Sequence, residues 1–284
     1  MAESERTVAF VLGGGGHLGA NEVGMLQALL ERHITPDLIV GTSVGALNGV
    51  AIAADPSLES VRKLRQAWLA LGKERVFASP FGGAGNLVRR GTHLHSNKNL
   101  RTLIERLLKV ERFEELTVPF QCVAASVERA AEHWFSEGPI VPAILASAAV
   151  PGLLPPVEID GEHFLDGGLV NSIPIEKAIQ LGANELYILQ VGRIEQALTA
   201  PKNLLQVATV AFEIGRRHRF ARDMASLPEG VIGHVLPTGE EDSLTGLGQL
   251  KYRDFTHVGK RMEAAHRASA RYLEDLQARS SRTG

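Results

Sequence analysis

The sequence predicts an α/β fold with a mainly parallel sheet. Short apolar runs that stop at glycines alternate with segments of helical period, the pattern of parallel, right-handed βαβ units. The chain has 284 residues, enough to bury a sizeable core. Val8 to Leu12 is short, apolar and halted by glycines, so it reads as a buried strand. Gly13 to Gly16 make a tight loop, and Val23, Leu26, Leu29 and Leu30 then recur at helical spacing within Glu22 to Arg32. Leu38 to Val40 is a second strand and Val44 to Ala54 a buried helix. Helical patterns follow at Leu58 to Leu71 and Asn97 to Val110, then a strand at Val118 to Ser126 with Glu132 to Phe135 as a hairpin partner. Ile140 to Ala149 is a small-residue helix closed by Pro151. Asp160-Gly161 is a hairpin turn signal between short strands at Val157 to Ile159 and His163 to Leu165. Pro174 to Leu181 reads as a helix and Glu185 to Val191 as a nearly continuous apolar strand. Two long helices, Leu204 to Met224 and Asp254 to Leu276, flank a last strand at Val231 to Leu236.

No internal repeat or linker breaks this order, so residues 1–284 are read as one domain, with a motif-bearing core over about 8–191 and a helical C-terminal part over about 200–280. Lys73 to Ser96 stands apart. Gly82, Gly83, Gly85 and Gly91 are interspersed with Phe77, Phe81, Leu87 and Val88, which makes the segment either a substrate-contacting lid or a plain surface loop.

Composition excludes several classes. Thirty basic against thirty-two acidic side chains give a formal charge of −2, so no global field draws the chain to nucleic acid. The single cysteine, Cys122, has no disulfide partner and lies in the apolar run Phe120 to Ala125, where it reads as a core residue. Glu3, Glu5 and Arg6 precede an apolar run of only six residues, which is no export signal. The longest apolar stretch, Ile140 to Val157, contains Pro142, Pro151, Pro155 and Pro156 and cannot be one spanning helix. The expectation is a cytoplasmic protein able to make transient contact with a membrane surface.

Three short motifs carry chemistry. Gly41-Thr42-Ser43-Val44-Gly45 is a G-x-S-x-G run between a predicted strand and a predicted helix. Small residues flank the serine because the turn leaves no room for larger ones, and the helix N-terminus favours developing negative charge. The plainer reading is a tight turn with a serine cap. Gly13-Gly14-Gly15-Gly16-His17-Leu18-Gly19 follows the first strand, and consecutive glycines free backbone N–H groups to converge on one point, as an oxyanion hole requires. Gly14-x-Gly16-x-x-Gly19 also fits a dinucleotide fingerprint, but the second strand ends in Gly41-Thr42-Ser43 rather than in an acidic residue, and Ala20-Asn21 replaces the Lys-Ser/Thr of a phosphate loop. Asp166-Gly167-Gly168 ends a short strand and is either a turn or the partner a nucleophilic serine needs.

In chain order, the glycine loop Gly13 to Gly19, then Gly41-Thr42-Ser43-Val44-Gly45, then Asp166-Gly167-Gly168, the motifs resemble the patatin-like phospholipase family. The run Ala146-Ser147-Ala148-Ala149-Val150-Pro151-Gly152 with Pro155-Pro156, and Asn171-Ser172-Ile173-Pro174 beyond the aspartate, are similar to the family's flanking stretches. The resemblance spans about Val8 to Val191. It implies a three-layer α/β/α fold with a mainly parallel central sheet. It also implies a Ser43–Asp166 dyad, an oxyanion hole from the Gly14, Gly15 and Gly16 amides, a lipid or ester substrate, and no metal or cofactor. An aspartate with an ordinary pKa near 3.9 is a weak base, so burial or the direct hydrogen bond must carry the effect. Two positions depart from the family pattern: Leu18 stands where arginine or lysine is usual, and Glu22 where histidine is common. His17 is the candidate to replace the missing cation, against the plainer reading of a solvated loop histidine.

Two rival readings stay open. A Ser-His-Asp esterase could draw on His218, His234, His257 or His266, although Ser43 follows only one or two strands. The fold could instead bind lipid or a partner without turnover. Arg216, Arg217, His218, Arg219 and Arg222 cluster on a predicted helix beside Ile214 and Phe220, which reads as an interfacial face or as a solvated basic helix end.

Overall fold

The structure, a computed structural model, describes residues 6–74, 93, 95–191, 197–201, 204–239 and 257–283. The first strand is Val8–Leu12 (β1), and the first helix is Ala20–Leu30 (α1). Leu38–Thr42 (β2), Val44–Ala54 (α2), Leu58–Glu74 (α3) and Lys98–Leu107 (α4) follow. Phe120–Ser126 (β3), Ala131–Phe135 (β4), Ile140–Ser147 (α5), Val157–Ile159 (β5) and Glu162–Asp166 (β6) form the middle of the chain. Ile175–Gln180 (α6), Glu185–Leu189 (β7), Leu204–Ala225 (α7), Ile232–Val235 (β8) and Val258–Thr283 (α8) complete it.

The described strands form one mixed sheet in the order β5-β6-β3-β2-β1-β7-β8, with β4 also paired to β3. Strands β3, β2, β1, β7 and β8 run parallel, while β4, β5 and β6 are antiparallel additions at one side. The pleat sends alternate side chains to opposite faces. Phe10, Leu12, Ile39, Phe120, Cys122 and Tyr187 pack with α1, α2, α3, α4, α5 and α8. Ala9, Val11, Leu38, Val40, Leu186 and Ile188 pack with α6 and α7. The sheet thus lies between two helical layers, the expected α/β/α arrangement. Cys122 is fully buried, and that burial pushes its thiol pKa up.

Strand β3 decides where the site forms. Strand β4 occupies one of its edges along Cys122 to Ser126. Along the other edge, β2 pairs with Phe120 to Val123 and β6 takes over from Ala124 to Ser126. Thr42 therefore sits opposite Val123 and Asp166 opposite Ala124, consecutive residues of one strand. The end of β2 and the end of β6 abut.

Most predicted elements appear with shifted ends. The helix expected over Asn97 to Val110 stops at Leu107, where Leu108 turns extended. The strand expected to reach Val191 leaves the sheet after Leu189. Asp160 and Gly161 both take positive φ, 52° and 81°, which fits the tight hairpin. The start of the helix expected from Asp254 and most of the glycine-rich segment from Lys73 lie outside the described residues, though His93 forms an isolated bridge with Gly152.

Candidate active site

Ser43 sits at the junction of β2 and α2 with φ 55° and ψ −120°, a conformation that costs a non-glycine residue about 1–3 kcal/mol. The turn is possible because its flanks are bare. A methyl group on Gly41 would lie 2.7 Å from the Gly45 carbonyl oxygen, and one on Gly45 would lie 2.4 Å from the Leu12 carbonyl oxygen. The Ser43 N–H donates to Ser147 Oγ at 2.9 Å, and Thr42 Oγ1 donates to the Asn171 carbonyl at 2.8 Å. The elbow is thus tied to α5 and to the chain beyond Asp166.

Asp166 ends β6, and its N–H donates to the Ala149 carbonyl at 3.0 Å. Its two carboxylate oxygens have different partners. Ser43 Oγ donates to Oδ2 at 2.6 Å, and the Gly168 N–H donates to Oδ1 at 2.7 Å. Ser43 is 7% exposed and Asp166 4%. Burial raises the Asp166 pKa from 3.8 to about 6, against the two hydrogen bonds, which pull it down. Gly167 is required where it stands, because a methyl group there would meet the Val123 carbonyl oxygen at 2.2 Å. At Gly168 the obstacle is the Phe212 ring, at 2.7 Å.

The glycine loop lies against the serine. A Cβ placed on Gly14 would be 3.5 Å from Ser43 Cβ. Gly14 nevertheless departs from its expected role, because its N–H already donates to the Ser172 carbonyl at 2.8 Å. Gly15 is extended (φ 174°), and Gly16 turns into the left-handed region (φ 56°) to start the short 3₁₀ turn Gly16–Gly19. The reading of His17 as a solvated loop residue is corrected: it is 1% exposed, because the turn folds it inward.

A polar set beneath this loop was missed at the sequence level. Asn48 Nδ2 donates to the Gly19 carbonyl at 2.9 Å and to Glu22 Oε2 at 2.7 Å, while Trp68 Nε1 donates to Asn48 Oδ1 at 3.0 Å. The available signal was a lone asparagine inside the apolar helix Val44–Ala54. Glu22 is fully buried, and desolvation holds its carboxyl well above the usual range despite the Asn48 hydrogen bond. The folded protein therefore keeps the Glu22 proton after the unfolded chain has released it, and stability falls as pH rises above the unfolded carboxylate range. Glu22→Gln preserves an acceptor for Asn48 and removes the titration. Urea unfolding at pH 5 and pH 8 is expected to show a smaller stability loss in this variant, by up to about 1.4 kcal/mol per pH unit.

The C-terminal part also contributes. The basic residues of α7 are not a free patch. Arg216 pairs with Glu213 at 2.9 Å and is 7% exposed, Arg217 reaches Glu213 at 3.3 Å, and Arg222 reaches Asp223 at 3.0 Å. Arg219 pairs with Glu132 at 2.8 Å and donates to the Val170 carbonyl, which fastens α7 to the turn after Asp166. Intramolecular carboxylates pair with these guanidinium groups, and Arg216 is buried, which corrects the solvated-end reading for that residue, while Arg222, His218 and Ile214 stay exposed. His234 is engaged by Tyr272 (3.4 Å) and Glu185 (3.6 Å), and His266 by Glu31 (2.6 Å). His218 and His257 are exposed. Among the described residues, no three His, Cys, Asp or Glu side chains group as metal ligands, and no helix is long and apolar enough to cross a membrane.

Fold and site together define a three-layer α/β protein that holds a buried serine–aspartate pair under a glycine loop. The profile described as patatin-like phospholipase matches residues 10–179, and the chain belongs to that family. Patatin-like phospholipase domain-containing protein 7 of Rattus norvegicus is 30% identical over 195 residues, covering 68% of this chain and 14% of that protein. Lysophospholipase nte1 of Aspergillus terreus is 28% identical over 194 residues, covering 67% of this chain and 12% of that protein. The chain thus matches only a small share of these relatives' length. Among solved structures, VipD from Legionella pneumophila aligns with a TM-score of 0.44 and 15% identity, over 93% of this chain and 67% of that one.

Proposed function

We propose that this chain is a lipid acyl hydrolase, a carboxylic ester hydrolase working through a Ser43–Asp166 dyad. The observation that carries the reading is the direct hydrogen bond from Ser43 Oγ to Asp166 Oδ2, 2.6 Å long, in a buried setting. Ser43 Oγ attacks the ester carbonyl carbon, and its proton passes to Asp166. The new C–O bond leaves the carbonyl oxygen negatively charged, facing the Gly15 and Gly16 amides and the N-terminus of α2. Collapse breaks the ester C–O bond, and the departing alcohol takes the proton from Asp166. Water then attacks the acyl-enzyme, Asp166 accepts its proton, and collapse of this second intermediate returns a proton to Ser43 and releases the acid. An aspartate with a pKa of about 6 is a better base than an ordinary one and stays ionised at neutral pH. The direct donation from Ser43 Oγ to Asp166 Oδ2, with no imidazole between them, favours the dyad over a histidine-containing triad.

The test is covalent labelling by a fluorophosphonate together with turnover of para-nitrophenyl esters and phospholipids of graded chain length. Wild-type protein is expected to label and turn over, and Ser43→Ala to do neither, with a rate loss of at least about 10³-fold. Folded wild-type protein that resists labelling would instead establish a lipid- or partner-binding protein without turnover.

A further inference from the structure

Ser172 presents a buried hydroxyl that the fold leaves unused. The residue is 4% exposed, and its Oγ makes no hydrogen bond among the described residues. It does not lie in a remote corner of the core. The point where a Cβ on Gly14 would sit is 3.4 Å from Ser172 Oγ and 3.5 Å from Ser43 Cβ, so the hydroxyl and the nucleophile flank one spot beside the glycine loop. The backbone that carries it is held on three sides. The Ser172 carbonyl accepts from the Gly14 N–H at 2.8 Å, the Asn171 carbonyl accepts from Thr42 Oγ1 at 2.8 Å, and the Asn171 N–H donates to the Gly167 carbonyl at 2.8 Å. Residues 171–172 thus join the loop, the elbow and the Asp166 turn.

A buried hydroxyl without a partner is destabilising, and such a group in a native fold calls for an explanation. Here the explanation is chemical. The Ser172 carbonyl takes up the Gly14 amide, which removes one donor from the cradle, and the same residue sets a hydroxyl donor beside it. We infer that Ser172 Oγ donates a hydrogen bond to the substrate's carbonyl oxygen as it takes up charge, completing the oxyanion site with the Gly15 and Gly16 amides. This assignment rests on the acyl-hydrolase reading. It requires no proton loss from Ser172, because the hydroxyl acts only as a donor and keeps its hydrogen.

The test compares wild type, Ser43→Ala and Ser172→Ala, reading kcat, KM, the rate of fluorophosphonate inactivation and Tm. Ser172→Ala is expected to lower kcat roughly 10²-fold, the scale of one lost oxyanion donor, with KM within about threefold. Inactivation should slow in parallel, because the phosphoryl oxygen fills the same cradle. Its Tm should stay level or rise, because the unpartnered hydroxyl is gone. A variant with wild-type kcat, with wild-type inactivation rate, or with a loss of kcat matched by a fall in Tm overturns the assignment. If Ser43→Ala is inactive while Ser172→Ala behaves as wild type, only the Ser172 assignment fails. If Ser43→Ala still turns over, the dyad reading fails and the Ser172 assignment falls with it.

Discussion

Asp166→Asn is expected to yield a folded protein that hydrolyses esters about 10²–10⁴-fold more slowly than wild type yet melts at a higher temperature. The two effects have one origin. The carboxylate is buried and, among the described residues, accepts only from Ser43 and Gly168, at 2.6 Å and 2.7 Å, which does not repay its lost hydration. Between pH 3.8 and about 6 the folded state binds a proton that the unfolded state has released, so stability declines as pH rises through that window. Above it the whole deficit persists, and the displacement from 3.8 to about 6 corresponds to about 3 kcal/mol. Asparagine keeps an acceptor for the Gly168 N–H and has no charge to desolvate. It also turns an N–H toward Ser43 and cannot accept the proton. A Tm rise of about 5 °C at pH 8, shrinking toward zero below pH 4, is the expected thermal signature. In wild type, kcat/KM should fall tenfold per pH unit below about 6, as the base is protonated. A flat rate profile from pH 5 to 8, or an Asp166→Asn variant retaining more than a tenth of the activity, would count against Asp166 as the base.

Gly45→Ala is expected to be strongly disruptive, because the methyl group would be driven into backbone beside the nucleophile elbow. The added Cβ would lie 2.4 Å from the Leu12 carbonyl oxygen, 2.6 Å from its carbon and 2.8 Å from the Gly13 carbonyl oxygen. All three atoms are backbone, so no rotamer change relieves the clash. Either α2 moves off β1 or the glycine loop moves, and both displace Ser43. A loss of at least about 3 kcal/mol is expected, with turnover gone even from the fraction that stays folded. Gly215→Ala is the matched control. It lies inside α7 with nothing within 4 Å of the added Cβ, and the gain in helix propensity should raise stability by about 0.5–1 kcal/mol. Equal melting temperatures for the two variants would refute the packing argument.

What could be read locally and what could not divides along physical lines. The elbow was legible because its requirements are short-range: bare flanks at Gly41 and Gly45, an apolar strand before and an apolar helix after. The Asp160-Gly161 hairpin was legible because both residues tolerate the positive φ they adopt. The donor role expected of Gly14 failed for a non-local reason, since its amide is taken by a carbonyl far along the chain, at Ser172. Arg219 is also held non-locally, whereas the carboxylate partners of Arg216, Arg217 and Arg222 lie within α7 itself. Its partners include Glu132 of β4 and the Val170 carbonyl, far from α7 along the chain.

Sequence alone therefore determined the strand-and-helix order and the glycine positions that let backbone approach backbone. Those properties follow from sterics and periodicity within a few residues. Tertiary structure alone decided that Ser43 and Asp166 touch, that Glu22 is sealed beneath the loop, and that the Gly14 amide is taken by the Ser172 carbonyl. The first of these depends on β2 and β6 sharing one edge of β3, and edge sharing is settled by the global competition among strand pairings, which no local pattern encodes.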